Sequence, residues 1–364
     1  MIAKTTLSQV ARKVGVSAST ISRVLNGVQG VNEATRRRVL TAVRTMNYQP
    51  GIASREPGHS RLIGFLMPAD AEQWGVRSNF TEEGVRAIND VAALHNYAAM
   101  VGSYHPELAD KAEDEMIERG DFAGALLFRT LDETRDSAPF RQRGIPFLVV
   151  NRLLPETSLN YVGADHLKVG FTAASHMLQC GYRRIGLLLG SPQYVSHRLY
   201  LQGFHDAHTA AGVEADSALI TEIELNMNGG YAGTRKLMEG RKRPEALIIT
   251  GDRASLGSLK ALRELKLAVP RDVGVLAMDG TRETAFADPP LTAVEIPWYD
   301  MLALGARLLV DLIEHRPPIE QIGICYSTRL IVRESTRHPS GKGRRQGRPR
   351  KLPAGATAPG RKDG

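Results

Sequence analysis

The chain has 364 residues, enough for two or three domains with a substantial buried core, and its formal net charge of +8 is unevenly spread. Two cysteines, Cys180 and Cys325, are too few for a disulfide framework, and no apolar run approaches the ~20 residues of a membrane span. No leading segment has signal-peptide character, so a cytoplasmic, nucleoid-associated protein with no membrane contact is expected. Residues 1–60 carry nine Lys/Arg against Glu33 and Glu56, and residues 337–364 carry nine against Asp363 alone. The body between them is therefore net acidic. Basic ends on an acidic body point to terminal segments that meet a polyanion.

The first elements are helical. Thr6-Leu-Ser-Gln9 has the form of a capping box ahead of Leu7, Val10, Ala11 and Val14, which predicts a helix ended by Gly15. Ser17 can cap a second helix, ASTISRVLN, with Ile21, Val24 and Leu25 inward and Gly27 just past Asn26. Asn32 can cap a third, EATRRRVLTAVRTM, in which Ala34, Val39, Ala42, Val43 and Met46 lie near one stripe. Two short helices across a glycine turn make a helix-turn-helix, and the start of the second enters the DNA major groove. Arg23 can then donate two hydrogen bonds to a guanine edge, and Ala18 can meet a thymine methyl. Ser17 and Thr20 can reach phosphates, while Ser19 and Ser22 also face outward. Thr6 and Asn26 complete the candidate DNA-contacting set of this segment.

From Arg61 apolar runs alternate with helical stretches: LIGFLMP, EGVRAINDVAALHN, YAAMVGS, a charged helix to Arg119, AGALLFR, FLVVN, RIGLLLG, ALIITG and VGVLAM. This alternation predicts βα units on parallel sheets, which bind ligands beyond the carboxyl ends of their strands. The residues at those ends are Arg152, Asp165, Arg198, Asp252 and Asp279, with Trp298 nearby in VEIPWYD. Charged groups bond sugar hydroxyls directionally and an indole covers the C–H face of a ring, so the set suits a small polyhydroxylated ligand. Each Asp is equally placed to cap a helix. There is no P-loop, G-x-S-x-G elbow, H-E-x-x-H or Cys/His cluster, so neither an enzyme nor a cofactor or metal is called for. Ser196 and His197 are neighbours without making a catalytic pair. His197 is expected at a pocket rim or in solvent, and His95, His105 and His176 at the surface or as caps.

The first fifty residues, above all VARKVGVS, TISRVLN and the closing Tyr48-Gln-Pro50, resemble the DNA-binding headpiece of the LacI-type (lactose and galactose repressor) family of bacterial transcriptional regulators. The likeness runs on to RLIVREST, near residue 336. It implies a small all-α headpiece followed by a two-lobed α/β core like that of periplasmic binding proteins. It also implies a homodimer (with a tetramer left open), a pseudo-palindromic double-stranded operator, and a small carbohydrate-like effector, a sugar or sugar acid. RLYLQGF matches the family's effector-contacting Arg at Arg198, AMDGT its strand-end Asp at Asp279, and the aromatic position after PPLT falls on Trp298. Two departures stand out. Gly251-Asp252 replaces the family's common Asn-Asp, and ADAEQWGVRSNF stands where Asn-Pro-Phe-Phe is usual. The organisation expected is a headpiece at 1–47, a hinge linker at 48–60, the core at 61–336 and a disordered basic tail at 337–364.

In the family the linker folds on operator DNA and wedges a Leu into the minor groove. Here Gly51 takes the cap position and Pro57 the place of that Leu, so at most IASR forms a turn or so of helix. Pro57 itself can be the wedge, Ile52 can replace it, or the hinge does not insert; the last is favoured because of the tail. There, GRRQGRPRK resembles the AT-hook, whose arginines, Arg348 and Arg350, are drawn to a narrow minor groove; a generic polycation is the other reading. The competing function classes are a cytoplasmic solute-binding protein and an architectural AT-rich DNA-binding protein driven by the tail.

Overall fold

The structure is a computed structural model that describes residues 7–17, 20, 21, 24, 32–45, 60–68, 79–104, 122–128, 133–153, 158–315 and 322–336. Helices α1 (Leu7–Val14) and α2 (Glu33–Thr45) flank a stretch whose residues 20, 21 and 24 are helical. Gly15 ends α1 with φ +73°, and the N–H groups of Gly15 and Val16 both return to the Ala11 carbonyl. Both caps form as the sequence predicts. Ser17 Oγ accepts from the Thr20 N–H at 3.1 Å, and Asn32 Oδ1 accepts from the Thr35 N–H at 2.7 Å. Val10, Ala11, Val14, Ile21, Val24, Val39 and Ala42 close one small core, and the Arg38 guanidinium donates to the Val14 carbonyl at the open end of α1. With so slight a core, each cap, worth about 1 kcal/mol, is a sizeable share of the unit's stability.

Two six-stranded sheets form the body. The first has the order β11-β5-β4-β3-β1-β2, built from β1 (Leu62–Pro68), β2 (Ala98–Tyr104), β3 (Phe122–Phe128), β4 (Phe147–Val150), β5 (Tyr161–Ala164) and β11 (Gly323–Tyr326). All its pairings are parallel. The second has the order β12-β10-β9-β8-β6-β7, from β6 (Ile185–Leu189), β7 (Ile220–Glu222), β8 (Ala246–Thr250), β9 (Gly274–Asp279), β10 (Thr292–Glu295) and β12 (Arg329–Ile331). Only β12 runs antiparallel. Strands β6, β8 and β9 are buried at every residue, which is why they read as unbroken apolar runs.

Helices α3 (Asn79–Leu94), α4 (Glu133–Arg143) and α9 (Trp298–His315) pack on the first sheet. Helices α5 (His166–Gln179), α6 (Val195–Ala210), α7 (Met227–Glu239) and α8 (Asp252–Glu264) belong to the second. The chain therefore crosses between the lobes after Ala164, after Glu295 and after Tyr326. Helices α5 and α6 approach closely through glycines: a Cβ on Gly203 would come within 2.0 Å of the Leu167 carbonyl oxygen.

Several elements differ from expectation. Helix α4 contains Pro139, and the sequence pattern gave no helix there; it forms because Asp136, Ser137 and Phe140 share a buried face. The charged helix expected up to Arg119, and His105, lie outside the described residues. His176, expected at the surface or as a cap, is buried. Its Nε2 lies 3.0 Å from Thr336 Oγ1, and burial holds its pKa below the ordinary value. It thereby joins the stitch that ties the last described residues to the second lobe: Ser335 Oγ accepts from the Thr292 N–H at 2.7 Å and donates to the Val275 carbonyl at 2.6 Å.

Candidate functional site

Of the candidate DNA contacts, Ser17 and Thr20 are described; Thr6, Ala18, Ser19, Ser22, Arg23, Asn26, Ile52, Pro57, Arg348 and Arg350 lie outside the described residues. The Ser17 and Thr20 hydroxyls face each other at 2.8 Å, Ser17 exposed and Thr20 half-buried. The pair sits at the start of the second helix, the end that docks in a helix-turn-helix.

The second candidate site is the region at the carboxyl ends of the strands of the two sheets, where such folds hold ligands. On the first lobe, Asn151 and Arg152 follow β4, and both are buried. Asn151 has φ +64°, an uncommon conformation for a residue with a side chain. Asp165, after β5, caps α5: its Oδ1 accepts from the Lys168 N–H at 2.9 Å. On the second lobe, the exposed Arg198 guanidinium closes the turn before α6, donating to the carbonyls of Pro192 at 2.6 Å and Gln193 at 2.9 Å.

Asp252 opens α8, two residues beyond the end of β8, and Asp279 ends the neighbouring strand β9. Asp252 is 5 % exposed, and its Oδ2 accepts from the Thr281 N–H at 2.6 Å, while Oδ1 is buried without a hydrogen-bond partner. Burial drives its pKa up to about 6; hydrogen bonds from Thr281 and Gly280 oppose the rise, and the nearby Glu283 carboxylate adds to it. Asp279 is buried with φ +112°, and its carbonyl accepts from the Ile296 N–H at 3.0 Å. The Asp252 carboxylate thus holds the turn on which Asp279 is displayed. Trp298 opens α9 at the second crossing, buried with its ring centroid 6.2 Å from that of Phe128 at the end of β3. On the first lobe, Glu83 of α3 has its carboxyl raised chiefly by burial, with Arg86 opposing and Glu283 and Glu295 of the second lobe adding.

The sequence reading missed a buried polar group beside these residues. His166 Nε2 lies 3.1 Å from the Asn151 carbonyl oxygen, and its Nδ1 lies 3.0 Å from the Tyr200 hydroxyl. His197, expected at a pocket rim or in solvent, is fully buried; its Nδ1 donates to the Ser191 carbonyl at 2.8 Å and its ring lies under Gly190. The spacing of His197 and Tyr200, one helical turn apart, was the available signal. Among the described residues no group of three or more His, Cys, Asp or Glu is arranged to hold a metal ion. No described helix is long and apolar enough to cross a membrane.

Comparison with known proteins bears on both sites. The family model described as "Bacterial regulatory proteins, lacI family" matches residues 6–51, and that of a "Periplasmic binding protein-like domain" matches residues 174–336. The HTH-type transcriptional repressor CytR of Escherichia coli (strain K12) is 29% identical over 338 residues, spanning 91% of this chain and 96% of its own. A solved complex of the transcriptional regulator CelR with cellobiose superposes with a TM-score of 0.68 at 26% identity, covering 91% of this chain and 100% of that one. The lac repressor dimer bound to operator and the anti-inducer ONPF gives a TM-score of 0.66 at 23% identity over 92% and 100% of the two chains, and so shares the fold.

Proposed function

We propose that the chain is a DNA-binding transcriptional regulator of the lacI type, a homodimeric repressor whose operator affinity is set by a small carbohydrate held between its two lobes. The observation that carries this reading is the union, in one chain, of a capped helical unit with two largely parallel sheets joined by three crossings. The first supports major-groove docking; the second supports a crevice that opens and closes.

Each headpiece reads one half-site, and two-fold symmetry makes the operator pseudo-palindromic. Leu94 and Phe286, 81% and 76% exposed, are apolar side chains that a lone chain leaves in water, and they suit the face between protomers. In the crevice, Arg152, Asp165, Arg198, Asp252 and Asp279 are the candidates for bonding hydroxyls, and Trp298 for bounding the apolar side of a ring. The cellobiose bound by CelR supports a carbohydrate effector. Closure on the effector shifts the first lobe, from which the headpiece linker extends, and so changes operator affinity by about 1–3 kcal/mol.

A gel shift tests the reading, with DNA from upstream of the chain's own gene and random DNA of equal length at one fixed salt, with and without neutral mono- and disaccharides. The specific DNA is expected to bind roughly 10³-fold or more tightly, with the ratio altered by one sugar. Near-equal affinity for both DNAs would favour the architectural protein; sugar binding with no DNA affinity would favour the solute-binding protein.

A further inference from the structure

His166 opens α5, 1% exposed, at the first crossing between the lobes. Only Asp165 separates it from the end of β5. Its Nε2 reaches back to the carbonyl of Asn151 in the first lobe, and its Nδ1 meets the hydroxyl of Tyr200 in the second. A carbonyl oxygen only accepts, so Nε2 carries the proton, and in the neutral ring Nδ1 then accepts from the Tyr200 O–H. One tautomer satisfies both bonds.

Each end of this bridge is firmly set. The Asn151 N–H donates to the Val162 carbonyl at 2.8 Å, so the residue is bonded to β5 through its amide and to α5 through its carbonyl, in a left-handed conformation. Arg152 follows directly. On the other side, the Tyr200 ring stands edge-on to His166 with centroids 5.1 Å apart, and its backbone lies against Gly170, where a Cβ would come within 2.2 Å of the Tyr200 carbonyl oxygen. Arg198 lies two residues before it, on the same first turns of α6. His166 therefore stands between the backbone that carries Arg152 and the helix that carries Arg198.

We propose that His166 is a positioning residue: its paired bonds to Asn151 and Tyr200 fix the angle between the lobes at the first crossing, and with it the mutual setting of Arg152 and Arg198 across the crevice. A crossing with one residue between strand and helix has few rotatable bonds. The bond back to β4 closes these into a ring, so the lobes cannot twist at this point without breaking it. The role assigned to the two arginines rests on the effector reading given above, whereas the lobe angle is measurable without effector or DNA.

The experiment uses the full chain in a Cys325→Ser background, with spin labels on Ala93→Cys of α3 and Lys236→Cys of α7, both exposed, diluted into unlabelled chain. Double electron–electron resonance then reads the distance between the lobes. His166→Phe, which removes both bonds, is expected to shift and widen the distribution; Tyr200→Phe, which removes one hydroxyl, does so to a lesser degree. His166→Gln restores an N–H toward Asn151 and is expected to recover most of the original distance. Nitrogen NMR of the imidazole is expected to find His166 as the single Nε2–H tautomer. Unchanged distributions in both His166→Phe and Tyr200→Phe would overturn the proposal, as would a ring protonated on Nδ1 alone. If His166→Phe fails to fold, Tyr200→Phe and the tautomer decide. A failure to bind sugar or operator would leave the distance result standing, so the two readings fail separately.

Discussion

Replacing Asp252 by Asn should abolish one specific pH dependence of folding. The buried carboxyl is raised from an ordinary 3.8 to about 6. At 1.36 kcal/mol per pH unit, that rise corresponds to roughly 3 kcal/mol. The sign follows from proton counting. Between these two values the folded chain holds a proton that the unfolded chain has lost, so stability falls as pH rises. The penalty is absent below pH 3.8 and complete above about 6. Asparagine keeps an oxygen for the Thr281 N–H and cannot ionise. The expected result is a difference between variant and wild type that moves in the variant's favour by roughly 2.5 kcal/mol from pH 4 to pH 7.5. Urea denaturation followed by circular dichroism, at one fixed protein concentration, measures it. His176 and His208, whose pKa values burial lowers, act in the opposite direction by losing stability as pH falls below 6.5, so only the difference isolates Asp252. A difference that does not change with pH would refute the reasoning.

Other expectations concern recognition and packing. Arg23→Ala is expected to cost ~1–3 kcal/mol on operator DNA and to relax preference at one base pair, measured by competition gel shifts; an equal loss on every sequence would reassign Arg23 to phosphate. Deleting residues 338–364 is expected to weaken operator binding most at low salt and to flatten the slope of log K against log salt, and an unchanged slope would sink the idea that the tail adds minor-groove affinity. Gly203→Ala forces a methyl group to 2.0 Å from the Leu167 carbonyl oxygen. It should cost about 1–3 kcal/mol or more in urea denaturation, since backbone on backbone leaves no flexible neighbour to yield.

Much of the fold was legible because parallel strands buried on both faces read as continuous apolar runs, as in ALIIT and IGLLL. The caps at Ser17 and Asn32 were legible because capping is a local event, settled within four residues. Strand β7, half-exposed and three residues long, has too few positions to show a period. Helix α4 was hidden by Pro139 and a polar sequence. The histidines went astray for a different reason. His176 is buried by Thr336 and His166 by Asn151 and Tyr200, partners 160, 15 and 34 residues away, and no local pattern announces such a pairing. The strand-end residues were found because topology dictates where strand ends lie. What each side chain does there was not, because capping a helix, closing a turn and bonding a ligand all use the same residue types. Asp165 and Arg198 show this directly: one carboxylate caps α5, and one guanidinium seals the turn at Pro192 and Gln193.

The same ambiguity suggests how such a crevice is set. Asp252 holds the turn of Asp279, His166 holds the backbone of Arg152, and the carbonyls of Pro192 and Gln193 hold Arg198. On the proposed reading, the candidate sugar-bonding groups are fixed before a ligand arrives, which lowers the ordering cost of binding, and any change of lobe angle on closure has to strain or break the His166 bonds at the first crossing. An effector can shift operator affinity only by the difference in its affinity for the two lobe arrangements. For a coupling of about 1–3 kcal/mol, that difference is roughly 5- to 150-fold. Rigid walls on either side of a pivot convert differential contact into rotation; soft walls would absorb it by rearranging side chains. The first lobe begins at β1, directly beyond the linker from the headpiece, so rotation about the crossings moves the point from which each headpiece is held. In a two-fold dimer that displacement acts on both half-sites at once, and their spacing, one helical turn of DNA or a multiple of it, tolerates little change.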